Sequence, residues 1–459
     1  PRVYERGEGI VTSPIALNGN NTSGVITAGD QATVYAASDI TGRGRQITAF
    51  DAGYYSAIFN QYQGVVNLTG PESTGARVHD NASFLNFGSV RIASGTGIDA
   101  SSGYGYYYPR ESSRLQVDDG IAALRVGNSG GLAVQGDGQG YSTITASGRA
   151  DGVLLDNGAQ WFQASDITLG AYGRGSVINN RAGLTAISLQ NVRLETGRGT
   201  GIRSAVSFDG EGYAQIIVGE GGTGYLFANE DGSATRNDLF IGQGYSITVP
   251  GKGTAIRANT TGDVVTAGSI AIESANGGSA VVTRTARRVI NQGNITSQSL
   301  VAPIIDLRGG ASVFINEGTV TAPNPHTVVV AGGASRDVVA LLGGRVTGDV
   351  HTGNGEDTLI VTGGTLKGSL TMGSGANNRA TVQNISLQDT RHITTAGGAG
   401  STLNLHDLTA RGGSFASDDP KKGTNIGAGW STLNFSGTRW TLTDNLRLAH
   451  STINIDANS

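Results

Sequence analysis

The sequence predicts an all-β solenoid, a parallel β-helix in which short strands stack coil upon coil into an elongated rod. Three observations support this fold: a repeat of about 20 to 25 residues, short apolar runs separated by glycine and asparagine, and the lack of a long helical pattern. The repeat is clearest where Gly343–Gly348 returns as Gly363–Gly368. A repeat of this length with variable spacing is typical of a solenoid whose turns accept insertions.

Further copies of the repeat keep apolar residues as well as glycines at equivalent positions. The segment Val289–Ser312 resembles Phe314–Ser335, with an offset of twenty-five at its start and twenty-three at its end. The tetrapeptide Ser-Thr-Leu-Asn occurs at Ser401 and Ser431 and returns as Ser-Thr-Ile-Asn at Ser451. Glycine content alone would not repeat these apolar residues, so the copies are expected to occupy equivalent positions on neighbouring coils.

Each copy contains apolar runs of three to five residues rich in Val, Ile, Leu and Thr, such as Val328–Val330. These residue types favour strands, and the intervening Gly-Gly, Asn-Gly and Gly-x-Gly segments favour turns. Corners of a coil need positive φ, which glycine adopts freely and asparagine tolerates. We therefore expect almost no helix and an interior of stacked Val, Ile and Leu.

The composition is that of a folded chain with local recognition sites. Glycine is abundant at 73 residues, but 37% hydrophobic residues in regular runs suffice to fill a narrow core. The 32 basic and 36 acidic residues give no strong global field, so nucleic acid is not an expected partner. The absence of cysteine excludes disulfides and thiolate metal sites. No apolar run is long enough to span a membrane, and Pro1–Gly7 has no signal-peptide pattern, so we expect a mature ectodomain.

Two motifs resemble parts of enzyme sites. Arg125–Val134 resembles the segment around the nucleophile of trypsin-like proteases, with Ser129 as nucleophile and His79 as the only upstream base. Fifty residues between base and nucleophile are too few for the double barrel of such a protease, so a β-helix corner is favoured. Gly219–Gly224 matches the dinucleotide-binding pattern, but no amphipathic helix follows it to bind the phosphates.

Metal and cofactor sites are not expected. Gly353–Val361 resembles one calcium-binding nonapeptide with Asp357 at the ligand position, but the next copy has Asn377 there, which favours an ordinary turn. The histidines are dispersed without a metal-like pair at short spacing: His79, His326, His351, His392, His406 and His450.

Acidic pairs keep one enzymatic alternative open, a polysaccharide-degrading enzyme. The adjacent pairs are Asp118–Asp119, Asp418–Asp419 and Glu356–Asp357. Adjacent side chains of a strand point to opposite faces, so none of these pairs is a ready acid and base. Carboxylates on neighbouring coils could still meet.

The stretch Ser101–Arg114 holds the densest aromatic group, and we interpret it as a loop excursion of the solenoid. Its candidate ligand-binding residues are Tyr104, Tyr106, Tyr107, Tyr108, Arg110 and Arg114. Tyrosines of this kind can form a platform that stacks on sugars or anchors a protein, with arginines beside it for sulfate or carboxylate. The alternative is a loop whose rings pack against the rod. A second segment, Ser417–Trp430, is charged and is interpreted as a solvated loop.

The tail Ser431–Ile455 resembles the C-terminal end of autotransporter passenger domains of Gram-negative bacteria, of the pertactin-like and self-associating adhesin-like group. A Trp-x-Leu-Thr-x-Asn turn is followed by a Leu-x-Leu strand and a Ser-x-Ile strand. The matching residues are Trp440, Leu442, Thr443, Asn445, Leu446, Leu448, Ser451 and Ile453. The resemblance implies a right-handed, three-sided parallel β-helix occupying 1–459 as a single passenger domain. Residues 1–400 would form its main part and 401–459 its stable C-terminal end.

The resemblance also implies export through a C-terminal membrane barrel outside this chain and a place at the bacterial cell surface or in the medium. The expected function is adhesion without catalysis and without a cofactor. Expected partners are host extracellular-matrix proteins, glycosaminoglycans or plasma proteins, with self-association in aggregates or biofilm as a further expectation. An immune-evasion factor that captures a host plasma or complement regulator is the main alternative.

Overall fold

A computed structural model describes residues 1–62, 64–111, 113–138, 142–208, 212–310, 312–397, 399–414, 422–427, 429–446, 448 and 451–459. Its regular elements within these ranges are β-strands, with no α-helix, and every pairing between them is parallel. The described residues accordingly include no helix with the length and hydropathy of a membrane span. The prediction of an all-β parallel β-helix is confirmed.

The strands follow one another closely along the chain. The first half contains β1 (Arg2–Val3), β2 (Glu8–Val11), β3 (Ile15–Leu17), β4 (Ser23–Thr27), β5 (Thr33–Ala36), β6 (Ile40–Gly42), β7 (Thr48–Ala52), β8 (Ala57–Asn60), β9 (Val65–Leu68), β10 (Ser73–Val78), β11 (Ala82–Asn86), β12 (Ser89–Ile92), β13 (Gly95–Ala100), β14 (Tyr104–Pro109), β15 (Arg114–Val117), β16 (Ala122–Val126), β17 (Gly131–Gln135), β18 (Thr143–Ala146), β19 (Asp151–Leu155), β20 (Trp161–Ala171), β21 (Ser176–Asn180), β22 (Ile187–Thr196), β23 (Thr200–Ser204), β24 (Tyr213–Val218) and β25 (Thr223–Phe227). The second half contains β26 (Leu239–Ile241), β27 (Tyr245–Val249), β28 (Thr254–Ala258), β29 (Asp263–Thr266), β30 (Ser269–Ile272), β31 (Val281–Thr283), β32 (Arg288–Asn291), β33 (Asn294–Ser297), β34 (Ile305–Asp306), β35 (Val313–Asn316), β36 (Thr319–Thr321), β37 (Val328–Ala331), β38 (Val338–Leu341), β39 (Arg345–Thr347), β40 (Asp349–His351), β41 (Thr358–Val361), β42 (Thr365–Met372), β43 (Arg379–Gln383), β44 (Thr390–Thr395), β45 (Thr402–His406), β46 (Thr409–Gly413), β47 (Thr424–Asn425), β48 (Thr432–Ser436), β49 (Arg439–Leu442) and β50 (Thr452–Ile455).

The chain divides into two compact units. The N-terminal unit comprises Pro1–Glu230 and Gly244–Thr248, and the C-terminal unit comprises Asp231–Gln243 and Val249–Ser459. Each unit is a stack of β-coils, in which a strand pairs with its equivalent one coil away.

In the N-terminal unit three strands complete a coil, and the coils stack in three columns. The first column is β1, β4, β7, β10, β13, β16, β19, β21, β23 and β25. The second is β2, β5, β8, β11, β14, β17 and the first parts of β20 and β22. The third is β3, β6, β9, β12, β15, β18, the last parts of β20 and β22, then β24 and β27.

The C-terminal unit contains a ten-stranded column formed by β26, β29, β32, β35, β38, β41, β43, β45, β48 and β50. Its register confirms the main repeats found in the sequence. Arg345 pairs with Thr365, as the repeat of Gly343–Gly348 requires, and Val289 pairs with Phe314, as the opening offset of the second repeat requires. The closing offset of twenty-three is wrong, because Asp306 pairs with Ala331 and the opening offset therefore persists through the glycines.

The interior is filled by one side of each strand. Along most strands buried side chains alternate with partly exposed ones, and the buried set is dominated by Val, Ile, Leu and Ala. Amide ladders run along the stack as well: the Asn60 Nδ2 donates to Asn86 Oδ1 at 2.8 Å, and Asn291 Nδ2 donates to Asn316 Oδ1 at 2.9 Å. These bonds satisfy polar groups at otherwise apolar positions.

The Ser-Thr-Leu/Ile-Asn repeats form such a ladder near the end of the chain. Asn404, Asn434 and Asn454 lie in register on β45, β48 and β50. The Asn454 Nδ2 donates to Asn434 Oδ1, and the Asn434 Nδ2 donates to Asn404 Oδ1, both at 2.7 Å. The repeated asparagine thus joins successive coils through its side chain.

Candidate functional site

The tyrosine-rich stretch is a strand of the stack, which corrects the prediction of a loop. β14 pairs with β11 on one side and with β17 on the other. Tyrosine favours strands, and its alternation here directs every second ring inward. The candidate residues therefore divide into two groups with different surroundings.

Tyr107 points into the core and has no exposed surface. Its ring stacks on that of Phe84 one coil away, with centroids 5.8 Å apart, and its hydroxyl oxygen accepts a hydrogen bond from Asn86 Nδ2 at 3.4 Å. Burial raises the pKa of this hydroxyl far above its usual value. Tyr107 is thus a packing residue, and its inclusion among the ligand-binding residues is corrected.

Tyr104, Tyr106 and Tyr108 point outward. Tyr104 is 42% exposed, and Tyr106 and Tyr108 are half-buried. The rings of Tyr106 and Tyr108 are nearly parallel, with an angle of 4° and centroids 6.3 Å apart. These rings therefore support one another at the surface.

The register places further apolar side chains in line with Tyr108. Ile10 pairs with Tyr35, Tyr35 with Phe59, Phe59 with Leu85, and Leu85 with Tyr108. All five lie on the outer side of the second column, and each keeps part of its side chain in contact with solvent. We call this row, together with Tyr104 and Tyr106, the aromatic face.

A groove borders the aromatic face where the second column turns toward the third. It has a volume of about 490 Å³ and is lined by Tyr35, Ala37, Phe59, Gln61, Tyr62 and Phe87. The rings of Tyr35 and Phe59 stack with centroids 4.8 Å apart, and those of Tyr62 and Phe87 lie 5.2 Å apart. A hydrogen bond with Glu111 raises the pKa of Tyr62. The groove is thus walled by rings that are already positioned by packing.

The two candidate arginines have different positions. The Arg110 guanidinium lies over the Tyr108 ring, 5.0 Å from its centroid, and its Nη1 donates to the carbonyl oxygens of Gln135 and Gly136 at 3.2 Å. It belongs to the aromatic face as a cation stacked on a ring. Arg114 begins β15 in the third column, beyond the corner, and its side chain is exposed.

Trp161 extends the aromatic surface beyond Tyr104. It pairs in register with Gly131, and its indole lies over the space that a side chain at Gly131 would fill. This glycine lets the indole reach Tyr104, with ring centroids 5.9 Å apart.

The protease-like residues are not brought together. His79 follows β10, and Ser129 lies in the turn between β16 and β17, two coils farther along the first column. Two coils correspond to about 10 Å, too far for a hydrogen bond between base and nucleophile. The His79 imidazole instead contacts two carboxylates, Asp51 Oδ1 at 3.2 Å and Asp80 Oδ2 at 2.7 Å.

Among the adjacent acidic pairs, Glu356 is exposed whereas Asp357 is buried, so these two carboxylates are not exposed side by side. Asp418 and Asp419 lie outside the described residues, as do 417, 420, 421 and 428 of the second predicted loop. Trp430 at its end is buried, and its Nε1 donates to the Ile393 carbonyl oxygen at 2.9 Å.

Two aspartates do meet across neighbouring coils. Asp357 Oδ1 accepts a hydrogen bond from the main-chain amide of Asp337 at 2.9 Å, and Asp337 Oδ1 accepts one from the amide of Ser312 at the same distance. Both carboxylates are buried, and burial raises the pKa of Asp337 to about 6. They are bonded to the main chain rather than open to a substrate. The same bonds place Asp357 in a structural corner. This agrees with the prediction that Gly353–Val361 is an ordinary turn.

No group of three or more His, Asp or Glu side chains suited to a metal ion occurs among the described residues. Comparisons of the chain with protein-family models, with curated proteins and with solved structures gave no match. Function is therefore inferred from the chain's own surface.

Sequence reasoning identified one strand of the aromatic face and missed the rest. Tyr35, Phe59 and Leu85 precede Tyr108 at unequal steps along the chain, so no fixed repeat relates them in the sequence. The available signal was the position within the strand: each is the second-last residue of a strand in the second column. Tyr108 is the second-last residue of its strand because Pro109 is the last residue of β14.

Proposed function

We propose that this protein is a bacterial surface adhesin of the autotransporter passenger type, and that its aromatic face binds glycan chains of a host surface or matrix. The observation that carries the proposal is the outward row from Ile10 to Tyr108, in which apolar side chains face solvent on five successive coils. An extended apolar surface of this kind marks an interaction site in soluble proteins. The resemblance of the tail to passenger domains supports the cellular setting.

The chemistry of the row suits sugar rings. Aromatic side chains offer broad faces that cover the C–H side of a sugar, while phenol hydroxyls and Arg110 offer hydrogen bonds at the rim. Successive coils lie about 4.8 Å apart, so the row presents a ladder of contacts along which an extended chain can lie. A linear glycan can therefore gain affinity from several neighbouring coils.

The rings are also held in place before a ligand arrives. Tyr35 stacks on Phe59, and Tyr106 stacks on Tyr108. Side chains that are already immobilised lose little entropy on binding, so more of the contact free energy appears as affinity. Rings that are fixed in this way favour tighter binding than tyrosines on a loosely exposed loop would.

Binding without turnover is the proposed activity. Asp337 and Asp357, which meet across neighbouring coils, are buried and accept main-chain hydrogen bonds. They offer no exposed acid and base for glycoside cleavage. The proposal therefore favours an adhesin over a polysaccharide-degrading enzyme.

The test is a glycan array followed by calorimetry with the double variant Tyr106→Ala/Tyr108→Ala. Loss of two stacked rings is expected to weaken binding by about 2 kcal/mol or more, which is roughly thirty-fold in Kd. Tyr213→Ala is the matched control, because Tyr213 is a 65% exposed tyrosine at the start of β24. Tyr107 stays in place, so the core is unchanged.

The same purified protein is screened against matrix proteins and serum proteins, and each glycan is checked for cleavage. Glycan binding that the double variant loses and the control keeps supports the proposal. Binding confined to a plasma protein would favour the immune-evasion alternative, and product formation would favour an enzyme. Equal glycan binding by wild type and double variant would remove the aromatic face from the function.

A further inference from the structure

A second surface of the N-terminal unit carries a row of arginines. Each of Arg149, Arg174 and Arg198 follows a glycine in the turn from the third column to the first. The strands that follow them are in register: Ser176 pairs with Thr200, and Val153 pairs with Ile178 one coil earlier. The three side chains therefore stand on successive coils, about 4.8 Å apart along the stack.

All three arginines line one open groove of about 670 Å³, which we call the arginine groove. Its other lining residues are Asp119, Gly148, Tyr172, Gly173, Gly197 and Glu220. Arg149, Arg174 and Arg198 are exposed. The glycines keep the floor of the groove low, so a ligand can approach the main chain between the guanidinium groups.

The arginines are poorly neutralised. Arg149 has its Nε 3.9 Å from Asp119 Oδ1, in a pair that is well exposed. Arg174 and Arg198 form no ion pair with any residue in the described part of the chain. Two guanidinium groups on adjacent coils are thus exposed without a salt bridge to another described residue.

Elsewhere in the unit, the register avoids such a row. On the first column Asp51 pairs with Arg77, Arg77 with Asp99, and Asp99 with Arg125, so opposite charges alternate from coil to coil. Like charges directly opposite each other on paired positions destabilise a sheet, whereas opposite charges stabilise it. The row at Arg149, Arg174 and Arg198 departs from this pattern and gains stability if an anion lies against it.

Tyr172 adds a fixed aromatic wall to the groove. Its ring lies across Gly170, where a side chain would overlap it, and its hydroxyl donates to Glu195 Oε2. Glu195 is also bound by Arg193, whose Nε lies 2.6 Å from Glu195 Oε1. The ring is thus held in one position and can pack against an apolar side of a ligand.

We propose that the arginine groove binds an anionic glycan bearing sulfate or carboxylate groups. Arginine presents paired N–H donors that match the oxygens of these groups. Asp119 and Glu220 at the groove lining can accept hydrogen bonds from sugar hydroxyls, which a glycan carries on each ring and a DNA strand lacks.

The groove is separate from the aromatic face and does not depend on it. The aromatic face lies on the second column, whereas the groove follows the corner between the third and first columns. The row of arginines spans three coils, so a short oligosaccharide with two or three anionic groups is sufficient to occupy it. The two surfaces can therefore be tested with different variants and different probes.

The test uses a heparin octasaccharide as the probe and Arg174→Gln/Arg198→Gln as the variant, with Kd measured by calorimetry at several salt concentrations. We expect at least tenfold weaker binding and a shallower dependence on salt, because two ionic contacts are lost. Arg43→Gln is the matched control. Arg43 also lies in a Gly-Arg-Gly turn after the third column, is exposed, and has no ion-pair partner among the described residues.

Further arms decide between ligand sources. A desulfated octasaccharide should bind more weakly than heparin, and an oligonucleotide with the same charge as heparin should also bind more weakly than heparin. Tyr106→Ala/Tyr108→Ala should leave heparin binding unchanged, which separates this site from the aromatic face. The proposal is overturned if Arg43→Gln weakens binding as much as the double variant, if the double variant binds heparin as wild type does, or if the oligonucleotide binds best.

Discussion

Asparagine in place of Asp357 is expected to stabilise the C-terminal unit at neutral pH. Asp357 Oδ1 accepts from the Asp337 amide, and Asp357 Oδ2 accepts from the Thr352 hydroxyl at 2.7 Å. An asparagine keeps both contacts, since its oxygen accepts from the amide and its NH₂ group donates to the hydroxyl oxygen. The register corrects the predicted equivalence with Asn377: the next coil has Asn378 at this position, and its Oδ1 accepts from the Asp357 amide at 2.9 Å. The substitution therefore removes a charge while keeping the hydrogen bonds.

The magnitude follows from the pKa of the neighbouring carboxyl. Burial raises the pKa of Asp337 from its ordinary value of 3.8 to about 6, and the charge of Asp357 adds to this rise. Burial also raises the pKa of Asp357. A difference of about two pKa units at Asp337 corresponds to about 3 kcal/mol, since one unit is worth about 1.4 kcal/mol.

The sign is set by proton binding. The folded state holds the Asp337 proton more tightly than the unfolded state, so its stabilising effect is complete below pH 3.8 and is lost as pH rises through about 6. At neutral pH the Asp337 carboxyl is ionised beside Asp357, and the corner is least stable. Asp357→Asn removes one charge and lowers the pKa of Asp337, and we expect it to recover about 1 to 2 kcal/mol there.

The assay is hydrogen exchange with mass spectrometry on peptides from 300–380, at pH 4.5, 6 and 7.5, corrected for intrinsic exchange rates. Wild type should lose protection as pH rises, and Asp357→Asn should lose less. Asp306→Asn is a control of opposite sign. Despite burial, hydrogen bonds with Arg308 lower the pKa of Asp306, so its carboxylate stabilises the fold at neutral pH. Removal of this carboxylate in Asp306→Asn should therefore reduce protection at pH 7.5.

Two results would refute this reasoning. One is an unchanged pH dependence in Asp357→Asn, which would mean that ionisation of these carboxyls does not weaken the corner. The other is reduced protection in Asp357→Asn at pH 7.5, which would mean that the carboxylate bonds stabilise more than the buried charges destabilise.

Three further predictions follow from other parts of the stack. Tyr107→Ala should lower the free energy of unfolding by about 3 to 5 kcal/mol in urea titrations, because it leaves a cavity in the core, whereas Tyr107→Phe should cost only about 1 kcal/mol. The hydrogen bond with Asp51 raises the pKa of His79, so its stabilising effect is complete below about pH 6.5 and lost as pH rises through the raised value; thermal unfolding of His79→Gln should be less pH-dependent there. Gly375→Ala should destabilise by more than about 2 kcal/mol, since its Cβ would overlap the Gly355 carbonyl oxygen, whereas Gly343→Ala, with its nearest atom 3.4 Å away, should be nearly neutral in the same titration.

Sequence repeats predict the register where successive coils keep similar residues and a constant step. Gly343 and Gly363, and Val289 and Phe314, are of this kind. The three Ser-Thr-Leu/Ile-Asn copies also predict the register, because they keep their residues although their steps are 30 and 20 residues. In the N-terminal unit the step varies, and the step from Arg125 to its partner Leu154 is longer than the step from Arg77 to its partner Asp99. Insertions at the corners cause this variation, and residue identity then no longer reveals which positions are equivalent.

The candidate site was only partly predictable for a related reason. The tyrosines of β14 are dense enough to be noticed in the sequence, but density says nothing about which ring faces inward. The pattern of a strand resolves it, because Gly105, Tyr107 and Pro109 alternate with outward residues and are all buried. The glycine-arginine pairs at Arg149, Arg174 and Arg198 recur at nearly equal steps, so this row was available to sequence reasoning and was missed.

The close stacking of coils stabilises rows of some side chains and destabilises rows of others. At a spacing of about 4.8 Å, aromatic rings and amides in a row stabilise one another, as at Tyr35 and Phe59 or at Asn434 and Asn454. Charges of one sign in a row repel one another. A solenoid therefore places opposite charges on alternate coils, pairs each charge with a buried partner, or leaves the row to be neutralised by a ligand. The first column alternates its charges and the arginine groove does not, so an anion bound at the groove would offset a repulsion that the chain itself leaves in place. A bound anionic glycan should therefore raise the stability of the N-terminal unit as well as occupy its surface.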